Sequence, residues 1–212
     1  VQSNYIPWKG YFDLIRGVDE FILYDDAQFT VRDWRNRNLI KTNTGAQWLT
    51  IPVTVGGGRN TAIKDVKISE PSWGKKHWEI LRHAYNKAPY FKTYRDVFEP
   101  LYLKNPTRFL SHINRTFIET INGVLGISTL VTFSMDYRIA WVKDRNQRLL
   151  NLCRHVGATE YLSGPTARSY FDVEFFKREG IRVRFADYAG YPAYHQLHPP
   201  FVHEVSVLDL IF

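Results

Sequence analysis

The chain reads as an α/β protein, a mainly parallel, doubly wound sheet interrupted by an inserted β-hairpin and helical segment. Three observations predict this. Strand, loop, helix and strand succeed one another before residue 25. The same alternation returns after residue 129. The stretch between has a different texture, first β-rich and then helical.

Residues 1–5 read as the end of a strand whose start precedes Val1, and Pro7 breaks it. Gly10 opens a short helix over 11–16, and Gly17 closes it where glycine is favoured. EFILY, residues 20–24, is a short apolar run bounded by charge and so a buried strand. QWLTIPVTV (47–55) and AIKDVKI (62–68) flank Gly56-Gly57-Gly58 and predict a hairpin. Helical spacing follows over 73–86, with a further turn or two over 95–103. Phe109, Ile113, Phe117, Ile121 and Leu125 then form one apolar stripe every fourth residue, predicting a helix over 107–125. TLVTF (129–133) is a strand. Asp144 caps a helix that ends at Gly157, a short strand spans 160–162, a helix covers 168–179, and 181–185 alternates as an edge strand. The expected organisation is a single α/β domain over 1–212, with the hairpin and helical sub-region inserted at about 39–126.

Composition narrows the partners. Apolar residues at 44% and aromatics at 16% exclude a disordered chain, and thirteen tyrosines suggest an aromatic-lined, hydrated cleft beside the core. The formal charge of +7 and pI of about 9.4 are scattered along the chain except at Arg32, Arg35, Arg37 and Lys41. That pattern favours a local anion site over nucleic-acid binding. Cys153 is the one cysteine, so no internal disulfide or Cys-based zinc site forms; it reads as a small buried hydrophobe. A reducing cytoplasm is the expected compartment. No signal peptide or membrane-spanning run is visible, so no membrane insertion is expected.

Four clusters carry candidate chemistry. Gln2, Asn4, Tyr5, Trp8, Gly10 and Tyr11 lie in the loop after the first strand, where open α/β sheets place their ligands. Asp25, Asp26 and Gln28 end the second strand; the acids either bind Mg²⁺ with substrate phosphates, or one is a general base, or they serve as a turn cap and an Arg partner. Arg32, Trp34, Arg35, Asn36 and Arg37 suit a phosphorylated or nucleotide-bearing ligand, or form a solvated strand edge. Ser163, Gly164 and Arg168, with Tyr170 and Asp172, offer a hydroxyl, a backbone N–H and an anion contact, or an ordinary strand-to-helix turn. The seven histidines show no metal-ligand spacing; His195, in a Pro- and Tyr-rich loop, is a candidate base or simply a loop residue. No GxSxG, Walker A or GxGxxG motif is present, and no metal site is expected.

Taken in order, QSNYIPWKGYFDLI, EFILYDDAQF, RDWRNRN, WLTIPV, KISEPSW and YLSGPTARSYFD resemble the WbqC-like family over almost the whole chain. Such proteins are encoded in bacterial clusters for O-antigen and other surface polysaccharides, often beside enzymes that make amino sugars. The resemblance therefore implies attachment of an acyl or aminoacyl group, such as glycyl, to a nucleotide-linked amino sugar, with an activated acyl donor or ATP and Mg²⁺ as co-reactants. A non-catalytic sugar-nucleotide module is an alternative. A more distant likeness is to the nucleotidyltransferase and pantothenate synthetase superfamily, with its Rossmann-like (HUP-like) fold. Its HxGH phosphate motif falls where this chain has Trp8-Lys9-Gly10-Tyr11, keeping the glycine and replacing both histidines. This likeness implies a nucleoside triphosphate-using enzyme as a further alternative.

Overall fold

The computed structural model describes residues 1–56, 60–140 and 142–212. It is a mixed α/β structure in which parallel and antiparallel strand pairs are kept apart. Helix α1 (Lys9–Arg16) leads into β1 (Glu20–Leu23), which pairs in parallel with β6 (Leu130–Phe133), Glu20 opposite Leu130. The segment between β1 and β6 is long. It holds the hairpin β2 (Arg37–Thr42) and β3 (Gly45–Thr50), the short antiparallel pair β4 (Val53–Thr54) and β5 (Lys67–Ile68), and helices α2 (Trp73–Tyr85), α3 (Phe91–Leu103) and α4 (Leu110–Leu125). After β6 come α5 (Arg145–His155), β7 (Glu160–Ser163), α6 (Val173–Arg178) and β8 (Arg182–Phe185), with β7 and β8 again parallel, and a short α7 (Leu208–Ile211) near the C-terminus.

Several local expectations meet the structure directly. Asp144 accepts the Gln147 N–H at 2.7 Å as the α5 cap, and Gly126, Gly157 and Gly180 take the left-handed conformation that ends a helix. Val1 lies against β1 in parallel fashion: its amino group donates to the Ile22 carbonyl and its carbonyl accepts from Tyr24 N–H. The β6 side of β1 is marked by Asp19, whose carbonyl takes the Leu130 N–H, so Val1 occupies the opposite edge.

Other elements differ. The principal hairpin is β2–β3, turning at Asn43-Thr44, because the Arg-rich run continues as a strand with Asn38 and Ile40 facing inward. The expected 47–55/62–68 pairing is confined to β4 and β5, and Gly57 and Gly58 of the expected loop lie outside the described residues. The expected helix over 168–179 divides: Pro165–Ser169 forms a 3₁₀ turn and Asp172 caps α6, because its carboxylate captures the Phe175 N–H and restarts the helix there. Residues 208–211 form a helix that no periodicity announced, and Phe212 beyond it packs on Tyr85, Phe91 and Phe98 at 5.1–5.5 Å between ring centroids.

The main core joins α1, β1, the hairpin and the three inserted helices. A smaller one, with Leu150, Cys153, Phe171, Phe176 and Ile181, binds α5 and α6 to β7–β8. Between β1 and β7 lies a cavity of about 320 Å³, walled in part by Val1, Ile22, Cys153 and Tyr161. Helices α2 and α3 approach so closely that a Cβ on Gly74 would sit 2.0 Å from the Tyr102 carbonyl oxygen. Behind them Tyr5 is fully buried among Trp73, His77, Tyr102 and Phe117. His77 Nε2 faces the Thr50 carbonyl at 3.2 Å, which can only accept, so Nε2 carries the proton and Nδ1 accepts from the Tyr5 hydroxyl at 2.9 Å.

Two outcomes follow. Burial pushes the His77 pKa down to about 4, so the unfolded chain takes up a proton below about 6.5 that the folded chain refuses. Stability should therefore fall as pH drops from about 6.5 towards 4, by up to about 3 kcal/mol, and His77→Gln should flatten that slope in urea titrations at successive pH values. Gly74→Ala should force α2 from α3 and cost about 3 kcal/mol or more, read as a lowered Tm.

Candidate functional site

The N-terminal loop is bound on several sides. Tyr5 N–H donates to the Trp34 carbonyl at 3.1 Å. Asn114, buried on α4, donates to Ser3 Oγ at 3.0 Å and to the Arg35 carbonyl at 2.8 Å. Asn38 on β2 is buried and places Nδ2 on the carbonyls of both Tyr5 and Ile6, at 3.1 and 2.9 Å, while its Oδ1 accepts the Leu39 N–H. The two carbonyls settle which end of the amide faces the loop, since only the NH₂ can donate. Between them the chain turns sharply: Ile6 has φ +36°, a conformation that a β-branched residue avoids.

That turn presents Trp8 and Asn4 to a small cavity. Asn4, Pro7, Trp8, Trp34, Asn38 and Glu204 enclose about 160 Å³. The expected first strand is not assigned at residues 1–5, but the loop 4–8 and the segment 34–38 share one pocket through Trp34 and Asn38, while Arg32, Arg35 and Arg37 do not line it. Behind Asn4 stands Arg35, which donates to Asn4 Oδ1 and to Gln2 Oε1, with Asp33 3.7 Å away. Outside, Arg37 lies over the Trp48 ring at 4.1 Å and donates to the Arg32 carbonyl, while Trp48 also meets Trp34 at 5.3 Å. Arg32 itself is exposed, and Asn36 is buried, donating to the Ile51 carbonyl.

The remaining candidates take other positions. Tyr5 and Tyr11 are core residues; the Tyr11 hydroxyl donates to the Gln2 carbonyl and so sets the loop from beneath. Gly10 gives room to the Trp8 indole, which a Cβ there would meet at 2.3 Å. Asp25 is buried and accepts the Ser3 N–H at 2.8 Å; burial raises its pKa against that bond and against the charges of the N-terminus and Arg35. Asp26 turns the other way, to Lys64 at 2.6 Å and Ser134 at 2.7 Å. Gln28 is exposed, bridging backbone to backbone with Ala62. Ser163 is buried at the end of β7, and Arg168 is exposed over the Phe185 ring. Gly164 lies near Tyr188, whose ring packs on Trp8 at 5.0 Å. His195 is exposed and lines a separate cavity with Tyr90, Tyr194 and Phe212.

Sequence reasoning missed the C-terminal contribution. Ser206 bridges Trp8 in antiparallel fashion, and Val207 N–H donates to the Pro7 carbonyl. This return brings Glu204 to the pocket and His203 to Lys9, Nδ1 to Nζ 2.9 Å. No motif marks these residues. The alternation of Asn36 and Asn38 in RNRN, amides on the buried face of a strand, was the one readable sign of the clamp.

Asn38→Ala should strand two buried carbonyls and release the Ile6 turn, costing about 3 kcal/mol. Asn38→Asp, isosteric but unable to donate, should be as damaging; chemical denaturation of both variants measures this.

Comparison with known proteins agrees with the residue pattern. Similar in sequence is the uncharacterized protein Rv1507c of Mycobacterium tuberculosis, 50% identical over 212 residues, which cover all of this chain and 91% of that protein. No solved structure matches the chain significantly. The model of the WbqC-like protein family matches residues 2–212, and the chain belongs to that family.

Proposed function

We propose that this protein attaches an acyl or aminoacyl group, such as glycyl, to the amine of a nucleotide-linked amino sugar used in bacterial surface polysaccharides such as O-antigen. The observation that carries this reading is the pocket of two indoles, two amides and one carboxylate. Indole faces suit the C–H faces of a sugar ring, the Asn4 amide suits a hydroxyl, and the Glu204 carboxylate suits an amine. The half-buried Arg37, stacked on Trp48, supplies a planar guanidinium for a diphosphate near the pocket. In the reaction the sugar nitrogen attacks the acyl carbonyl, a C–N bond forms, and the bond to the donor's leaving group breaks.

The doubly wound fold belongs to the same proposal. Val1 beside β1, opposite β6, with β7–β8 across the neighbouring cavity, supports a parallel arrangement whose ligand end is the loop 2–8. ATP and Mg²⁺ fit the residues poorly. Tyr11, at the second histidine position of HxGH, is buried and bonded to Gln2, and Asp25 and Asp26 diverge.

Incubation with a dTDP-linked 4-amino sugar and an activated glycine should yield a product heavier by one glycyl residue in mass spectrometry. Trp8→Ala and Trp34→Ala should each weaken sugar binding about 10-fold, the worth of one good aromatic contact. Binding without a mass increase under any donor would make the protein a carrier of the sugar and not a transferase.

A further inference from the structure

Lys9 is placed unlike the chain's surface lysines. Its Nζ lies 5.0 Å from the Tyr194 ring centre, 5.4 Å from Phe201 and 5.6 Å from Tyr191, and is hydrogen-bonded to His203 Nδ1. The two tyrosine walls of this bowl are themselves fastened. Tyr191 donates to Asp13, and Tyr194 donates to Asp209, a buried carboxylate that also takes the Tyr85 hydroxyl. The bowl adjoins the pocket: Trp8 precedes Lys9 and Glu204 follows His203, and both line the cavity.

We propose that Lys9 is the base of the transfer, taking the proton released when the sugar amine is acylated and sharing it with His203. This rests on the function proposed above. As the C–N bond forms, the new N–H⁺ loses its proton to the Lys9 amine, and the donor's leaving group departs with its bonding pair. The hydrogen bond to His203 lets that proton pass between Nζ and Nδ1, so the lysine can return to its amine form.

The surroundings fit an amine poised to change charge. Burial lowers the Lys9 pKa, and the Glu204 and Asp209 carboxylates hold it partly up. The titratable groups facing it are His203, Tyr191, Tyr194, Glu204 and Asp209, with Asp13 behind Tyr191. The aromatic faces stabilise the ammonium once formed.

The test begins without substrate. Acetic anhydride labelling of the whole protein at successive pH values, resolved by peptide mass spectrometry, should show Lys9 reacting at lower pH than Lys75 or Lys92, with His203→Leu shifting its profile. A Lys9 profile matching those lysines overturns the proposal. With the dTDP-linked 4-amino sugar and activated glycine, Lys9→Met should lower kcat on the order of 100-fold with KM little changed, and remove the acidic limb of the pH profile. Lys9→Met turning over like the parent also overturns it. If the parent protein acylates no sugar, the functional reading fails by itself and the substrate role of Lys9 falls with it, whatever the labelling shows.

Discussion

The site depends on the amide of Asn38. Without its two donated hydrogen bonds, the carbonyls of Tyr5 and Ile6 would be buried without partners, and the positive φ of Ile6 would lose its nearest restraint. Such a backbone costs about 1–3 kcal/mol, a penalty tolerated only where neighbours overdetermine it. Here they do: Trp34 and Asn114 hold the residues before the turn, and Val207 holds Pro7 after it. The result is a rigid bend that sets Asn4 and Trp8 on the same cavity. Arg35 adds to this rigidity, because it ties the side chains of Gln2 and Asn4 to the Arg-rich segment. Its charge therefore serves position at least as directly as it serves ligand binding.

Much of this organisation was readable in the sequence. The helix–strand step α1–β1, the alternation after residue 129, the stripe of α4 and the Asp144 cap are local signals that correspond to observed elements, whereas residues 1–5 form no assigned strand and only Val1 lies against β1. Adjacent polar and aromatic residues after the first strand pointed to the loop that does wall a cavity. What escaped reading was non-local. Period-two alternation in RNRNLIKT is visible, but its two arginines mask it as a charged edge, so the hairpin is displaced by one strand. The divergence of Asp25 and Asp26 follows from strand geometry, in which neighbours face opposite sides. Glu204 and His203 carry no motif, and only the backbone bridge from Ser206 to Trp8 brings them to the pocket.

The aromatic content has two distinct uses. Trp73, Tyr5, Tyr102 and Phe117 interlock edge to face inside the helical layer, with His77 held neutral among them. Tyr188, Tyr191, Tyr194 and Phe201 instead surround Trp8 and Lys9 near the surface, where the Tyr191 and Tyr194 hydroxyls reach Asp13 and Asp209. The first group excludes water from a core. The second builds a polarised wall beside a pocket, with apolar faces inward and anchored phenols behind.

The bridge between Trp8 and Ser206 joins residues 198 positions apart in the chain. Trp8 on its own turn does not make the pocket: residues 203–207 must return across it before Glu204 joins Asn4 and Asn38 in the lining. Two distant stretches of chain are thus coupled through one patch of backbone, and a ligand seated there would touch both at once. Its binding would report the docking of residues 203–207 as directly as any change in the loop 2–8.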